Sequence, residues 1–140
     1  MFLYEKDLKE AFWEKYKTRN NIKSYAFEIG RSGGMDLVTF EYFRDMYEYN
    51  SFEFKLENIS KAILQAKYNL KYVNKSWIVM PEEKKEVITN KYYMDIKANK
   101  GMGVMLVNES GYYDILIKPM PNDEIFLNQE IIRLAVNSKR

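Results

Sequence analysis

The chain has 140 residues and 46% of them are hydrophobic, enough for one domain to bury its own core without a disulfide or a structural metal. It contains neither Cys nor His, which excludes Cys nucleophiles, Ser-His-Asp triads, zinc fingers and histidine general bases and leaves carboxylates, lysine, hydroxyls or an oxygen-ligated metal. The formal net charge of +2 neither requires nor excludes a nucleic-acid partner.

The sequence lacks the patterns of a membrane or secreted protein. No apolar run approaches the roughly 18 residues needed to cross a bilayer. The first ten residues carry Glu5, Asp7 and Glu10, whereas a signal peptide would be basic and then apolar. We therefore expect a cytoplasmic protein with no membrane partner. No internal repeat or Pro/Gly-rich linker divides the chain, so we also expect a single domain over residues 1–140.

The spacing of apolar residues predicts a helix, three strands, a second helix and a fourth strand in the first 81 residues. Leu8 and Phe12 show helical spacing, whereas Phe52, Phe54 and Leu56 alternate with polar residues as in a strand. The predicted elements are a helix over 3–17, strands over 23–29, 35–41 and 47–57, a helix over 59–73 and a strand over 76–80. Short connections between the first three strands favour an antiparallel meander.

The remaining residues predict a C-terminal extension that packs on the same core. Its predicted elements are a polar helix over 81–90, strands over 103–107 and 112–118 that form a hairpin, and a helix over 125–136. This order indicates the α/β class, with one mixed sheet flanked by helices. Residues 1–81 would form the core and residues 82–140 the extension.

Three charged residues of the second and third strands are candidates for chemistry. Asp36 opens the second strand after a glycine-rich turn, and Glu53 and Lys55 share one face of the third. If the hairpin register brings them together, the two carboxylates form a hard-oxygen pocket suited to Mg²⁺ or Mn²⁺. Lys55 could then orient or help deprotonate the attacking water, or stabilise charge on a phosphodiester.

The Glu-x-Lys tripeptide alone has a simpler interpretation. Other acidic-x-Lys tripeptides occur in this chain, for example Asp7-Leu8-Lys9 and Asp95-Ile96-Lys97. Glu53 and Lys55 would then belong to a solvated strand face with cross-strand ion pairs, and Asp36 would cap the glycine turn.

The placement of Asp36, Glu53 and Lys55 on an α-β-β-β-α-β order resembles the PD-(D/E)xK nuclease superfamily, the restriction-endonuclease-like fold. The resemblance covers roughly residues 3–81, and Met35 stands where the superfamily has its Pro. It implies a divalent-metal-dependent DNA endonuclease that hydrolyses phosphodiester bonds. Asp36 and Glu53 would bind Mg²⁺ or Mn²⁺, and Lys55 would act at the attacking water.

The resemblance also implies two supporting residues. Many members add an acidic residue from the first helix, and Glu5 is the candidate because it shares a helical face with Leu8 and Phe12. Gln65 in the second helix, followed by Tyr68 and Tyr72, resembles the Gln and Tyr that some members place beside the site. The Tyr that usually follows four residues later is Asn69 here.

Four basic residues are candidates for contact with DNA. Arg31 lies in the glycine-rich turn before Asp36, and Lys61, Lys67 and Lys71 lie along the second helix. They could follow a phosphate backbone, although a loop Arg is more often simply exposed and lysines at this spacing more often form a solvated helix face. Because cutting both strands often uses two sites, a homodimer is expected by analogy.

Two other functions are compatible with the sequence. A catalytically silent protein of the same fold would serve as a nucleic-acid-binding or regulatory interaction module. A protein-interaction domain would bind no nucleic acid, and a structure that separates Asp36 from Lys55 would favour it.

Overall fold

A mixed β-sheet forms the centre of the structure. In the computed structural model, which describes residues 1–32 and 34–137, six strands form this sheet in the order β1 to β6. The strands are β1 Ile22–Ile29, β2 Met35–Phe43, β3 Met46–Phe54, β4 Lys75–Pro81, β5 Met102–Val107 and β6 Tyr113–Ile117. Neighbouring strands are antiparallel except for β3, β4 and β5, which run parallel. The predicted α/β class with one mixed sheet is confirmed.

Helices flank both faces of the sheet. They are α1 Glu5–Tyr16, α2 Ile59–Asn69, α3 Lys85–Val87, α4 Tyr93–Lys97 and α5 Gln129–Val136. The chain order α1-β1-β2-β3-α2-β4 is the predicted one, and the antiparallel meander of the first three strands is confirmed. Every helix within the described residues is too short or too polar to cross a membrane.

The turn between β2 and β3 sets the register of the hairpin. Arg44 and Asp45 both have positive φ angles, 50° and 66°, as in a two-residue type I′ turn. From this turn the pairing runs without a shift to Leu37 opposite Phe52. One residue further, Asp36 at the start of β2 meets Glu53 near the end of β3.

Alternating residues of the central strands face different helices. Phe52 and Phe54 of β3 pack against Phe12 of α1 on one face. On the other face, Ala66 of α2 belongs to the same buried cluster as Ile78 of β4. The side chains before and after each of these aromatic residues therefore point toward the α2 face.

Four predicted elements differ from the structure by more than two residues or in type. The third strand ends at Phe54, so Lys55 follows it directly, and α2 ends at Asn69 rather than at residue 73. The predicted polar helix over 81–90 is a longer irregular segment: a 3₁₀ turn over Glu82–Lys84, then α3, a π turn over Ile88–Tyr92 and α4. The terminal helix begins at Gln129 rather than at 125, because the Asn128 side chain caps it by accepting from the Ile131 N–H at 3.0 Å.

We expect Gly111→Ala to destabilise the fold by about 2 kcal/mol or more. Gly111 lies in the loop between β5 and β6 with a φ of +91°, and an added Cβ would collide with the carbonyl of Ala11 in α1. Urea unfolding measures the loss. The control is Ser110→Ala, which removes an exposed hydroxyl from the same loop. Equal unfolding midpoints for the two variants would contradict the prediction.

Candidate active site

Asp36 and Glu53 lie in direct contact at one end of the β2–β3 hairpin. The backbone N–H of Asp36 donates to Glu53 Oε2 at 3.0 Å, and the backbone N–H of Phe54 donates to Asp36 Oδ2 at 2.9 Å. Glu53 is 1% exposed, although it is acidic. The two carboxylates are thus held beside each other by rigid strand backbone.

Burial makes this carboxylate pair costly to ionise. Burial is the main cause that raises the pKa of Asp36, and the nearby charges of Lys55, Lys9 and Arg31 oppose it. For Glu53, burial is the largest cause of the raised pKa. The charge of Asp36 raises this pKa further, whereas the charge of Arg31 lowers it. A cation bound at this pair would be stabilised by both negative charges.

Lys55 lies within electrostatic reach of Asp36. It follows β3 directly, and its backbone N–H donates to the Val79 carbonyl of β4 at 3.1 Å, which fixes the start of its side chain. Lys55 is half-buried and its charge lowers the pKa of Asp36, yet no carboxylate of the described residues lies within 4.0 Å of its ammonium. Its hydrogen-bonding capacity remains available to a ligand.

Arg31 and Asn69 form the other wall of the site. Arg31 Nε donates to Asn69 Oδ1 at 2.6 Å, and its Nη2 lies 3.7 Å from Glu53 Oε1. The guanidinium lies 5.6 Å from the centre of the Tyr68 ring. With a side chain only 13% exposed, Arg31 is positioned by these contacts rather than projecting freely from its loop.

Two buried polar atoms of α2 make no hydrogen bond of standard geometry. Among the described residues, Gln65 Oε1 and Asn69 Nδ2 are the buried side-chain atoms of this kind. The two residues lie one helical turn apart on one face of α2. Asn69 is fully buried, and Arg31 occupies its Oδ1. Although its Nδ2 makes no hydrogen bond of standard geometry, it interacts with Glu53 and lowers the pKa of that carboxyl. Because an unpaired buried polar atom costs roughly 1–3 kcal/mol, Gln65 Oε1 is the atom that indicates a place for a bound molecule.

The other predicted residues lie further out. Glu5 is exposed in the first turn of α1 and is not among the groups whose charges act on Asp36 or Glu53. Lys9, one turn later, does act on Asp36. The predicted DNA-contacting lysines, Lys61, Lys67 and Lys71, are exposed, and the Lys71 ammonium lies 4.7 Å from the centre of the Tyr68 ring.

Lys9 and Asn69 were not among the predicted site residues. Lys9 is one turn from Glu5, and Asn69 is one turn from Gln65, so helical spacing from the two predicted supporting residues would have found both. Only a weak sequence signal pointed to Tyr68 as a site residue, because it is one of two tyrosines that follow Gln65.

The donor set suits a magnesium or manganese ion. Within residues 1–32 and 34–137, no group of three or more acidic residues converges as a closed metal cage. Mg²⁺, however, is commonly held by one or two carboxylates together with waters and substrate phosphates. Asp36 and Glu53 supply two carboxylates, and each accepts one backbone hydrogen bond, which leaves further oxygen lone pairs for a cation.

Comparison with known proteins gives no relative: no family model, no curated protein and no solved structure matches this chain. The fold and site together define an α/β protein with a buried carboxylate pair, one unpaired lysine and one bound arginine at the end of a β-hairpin.

Proposed function

We propose that the protein is a divalent-metal-dependent endonuclease of the restriction-endonuclease-like fold, which hydrolyses phosphodiester bonds of DNA. The observation that carries the proposal is the hydrogen-bonded Asp36–Glu53 pair with the Lys55 ammonium in electrostatic reach. Support comes from the chain order α1-β1-β2-β3-α2-β4, in which the Asp lies on the second strand and the Glu-x-Lys begins on the third.

Each residue of the site has a distinct task. Asp36 and Glu53 hold Mg²⁺ or Mn²⁺. The bound ion supplies Lewis-acid polarisation of the phosphoryl oxygen and neutralises its charge. Lys55 donates hydrogen bonds to the attacking water or to the phosphoryl oxygens and so stabilises the charge that develops there. The unpaired Gln65 Oε1 can accept a hydrogen bond from that water.

The basic residues around the pair suit a polyanionic substrate. Arg31 and Lys9 act electrostatically on Asp36, Lys71 contacts the same Tyr68 ring as Arg31, and Lys61 and Lys67 are exposed on α2. These cations can contact successive phosphates of a DNA backbone. Cutting of both strands would need two such sites, as a homodimer provides.

Incubation of the purified protein with plasmid DNA tests the proposal. We expect cleavage with Mg²⁺ or Mn²⁺ and none with EDTA. Lys55→Met should lower the rate about 10²-fold, the size typical of one lost proton-transfer or charge-stabilising group. Lys100→Met is the control, because this lysine is exposed on the loop before β5. EDTA-resistant cleavage, or equal rates in the two variants, would reject the assignment.

One observation favours a second function, a catalytically silent nucleic-acid-binding or regulatory module. The Arg31 guanidinium lies 3.7 Å from Glu53 Oε1 and so gives this carboxylate a cation from the protein itself. Such a site needs no metal. DNA binding that weakens with salt, without metal-dependent cleavage and without a Mg²⁺-induced rise in Tm, would identify this alternative.

A further inference from the structure

A second cleft opens at the opposite end of the sheet from the carboxylate pair. Glu48, which lines it, precedes Glu53 by five residues on β3. An odd separation places the two side chains on opposite faces, about 17 Å apart along the strand. Trp77, which belongs to the α1-facing core, also lines this cleft. The cleft therefore shares no residue with the proposed nuclease site.

Two adjoining spaces make up the cleft. An outer groove of about 480 Å³ and an inner cavity of about 100 Å³ share five lining residues, which are Phe43, Glu48, Lys75, Lys118 and Pro119. Small-molecule sites in proteins occupy roughly 300–1,000 Å³. The outer groove alone is large enough for a ligand of nucleotide size.

Within this shared wall, Lys75 and Glu48 form a buried ion pair without net charge. Lys75 Nζ lies 3.0 Å from Glu48 Oε1, and the two side chains are only 11% and 7% exposed. The same ammonium lies 4.3 Å from the centre of the Phe43 ring. Because Glu48 is paired with Lys75, it does not neutralise the other cations that line the outer groove.

Three cations of the outer groove are unpaired. They are Arg44 in the β2–β3 turn, Lys97 at the end of α4, and Lys118 directly after β6. None of them has a carboxylate of the described residues within 4.0 Å. Separate parts of the chain thus bring three uncompensated positive charges to one groove, which favours an anion there.

The rest of the groove is apolar. Met46 and Met120 line it and are 61% and 64% exposed, and Pro119 and Pro121 complete this wall. Methionine side chains adapt to ligands of different shape. The wall can therefore cover an apolar group attached to the anion.

We propose that this groove binds a small phosphate monoester, with the phosphate on Arg44, Lys97 and Lys118 and the organic part against the Met and Pro wall. A phosphate monoester carries about −1.5 to −2 charges near neutral pH, which matches three cations better than a singly charged carboxylate does. The organic part is either the base and sugar of a nucleotide or an alkyl chain, and both can be tested. This binding site is independent of the proposed nuclease function.

Isothermal titration in EDTA with adenosine monophosphate, octyl phosphate and inorganic phosphate tests the proposal. At least one ester should bind ten-fold or more tightly than inorganic phosphate, and the tighter ester identifies the organic part. The double variant Lys97→Gln/Lys118→Gln should lose at least ten-fold in affinity for that ester, because each charged hydrogen bond is typically worth about that factor. Lys100→Gln, an exposed lysine outside the groove, should bind as the wild type does.

Three outcomes would overturn the proposal. The first is that neither ester binds more tightly than inorganic phosphate. The second is unchanged affinity in the double variant while its thermal unfolding matches that of the wild type. The third is a single-stranded oligonucleotide that binds more tightly than both esters and loses affinity in the same double variant, which would make the groove a nucleic-acid site.

Discussion

Replacing Glu53 by Gln is expected to lower Mg²⁺-dependent DNA cleavage about 10³-fold while making the folded protein more stable at pH 7. The loss of activity follows because a metal ion supplies several kcal/mol of transition-state stabilisation, and 1.36 kcal/mol corresponds to ten-fold in rate. The gain in stability follows because the buried Glu53 carboxylate is costly to ionise beside Asp36. Gln is neutral, has the same shape, and retains an oxygen for the Asp36 N–H. DNA cleavage assays and urea unfolding measure the two effects.

The gain in stability should depend on pH in a defined direction. The folded-state pKa of Glu53 lies above its ordinary value of 4.5, and that of Asp36 lies above 3.8. The folded wild type therefore binds protons at these two carboxyl groups more tightly than the unfolded chain does. Their contribution to the free energy of unfolding falls as the pH rises through the raised pKa values. Below the ordinary values both states are protonated and the penalty disappears. The advantage of Glu53→Gln should shrink from pH 7 toward pH 4.

Control measurements separate this effect from general changes in charge. Glu86→Gln removes an exposed carboxylate and should leave stability within about 0.5 kcal/mol of the wild type. Mg²⁺ should raise the Tm of the wild type and of Glu86→Gln more than that of Glu53→Gln. A Glu53→Gln protein that is less stable than the wild type at pH 7 would mean that Arg31 and the backbone hydrogen bond already outweigh the cost of burial.

The meeting of Asp36 with Glu53 was predictable because it depends on local features of the chain. Strict alternation around Phe52 and Phe54 assigned Glu53 to the face opposite these aromatic residues. The short connection predicted between the strands over 35–41 and 47–57 then left few possible registers for the hairpin, since a slip by one residue would expose the apolar face. Sequence patterns of this kind operate over about twenty residues, and the carboxylate pair lies within that span.

The contacts of Arg31 and Asn69 were not predictable in the same way. Arg31 precedes Asn69 by 38 residues, and their hydrogen bond depends on how α2 lies across the sheet. Helical periodicity identifies the buried face of a helix but not its tilt or its position along its axis. The same limit explains why Lys9 acts on Asp36 although the prediction named Glu5, one turn earlier. The parallel addition of β5 to β4 is likewise a long-range pairing without a local pattern.

Phe12→Ala is expected to cost about 3–5 kcal/mol of folding free energy, the typical loss for a fully buried phenylalanine. The Phe12 side chain is fully buried, and its ring centre lies 5.6 Å from those of Phe52 and Phe54 and 5.3 Å from that of Tyr113. Truncation would leave a cavity between α1 and the two aromatic residues that flank Glu53. Urea unfolding measures the loss, and Phe126→Ala is the matched control because Phe126 is 72% exposed. A loss below 1 kcal/mol would show that α1 can move inward to fill the space, and the position of Glu53 would then not depend on this packing.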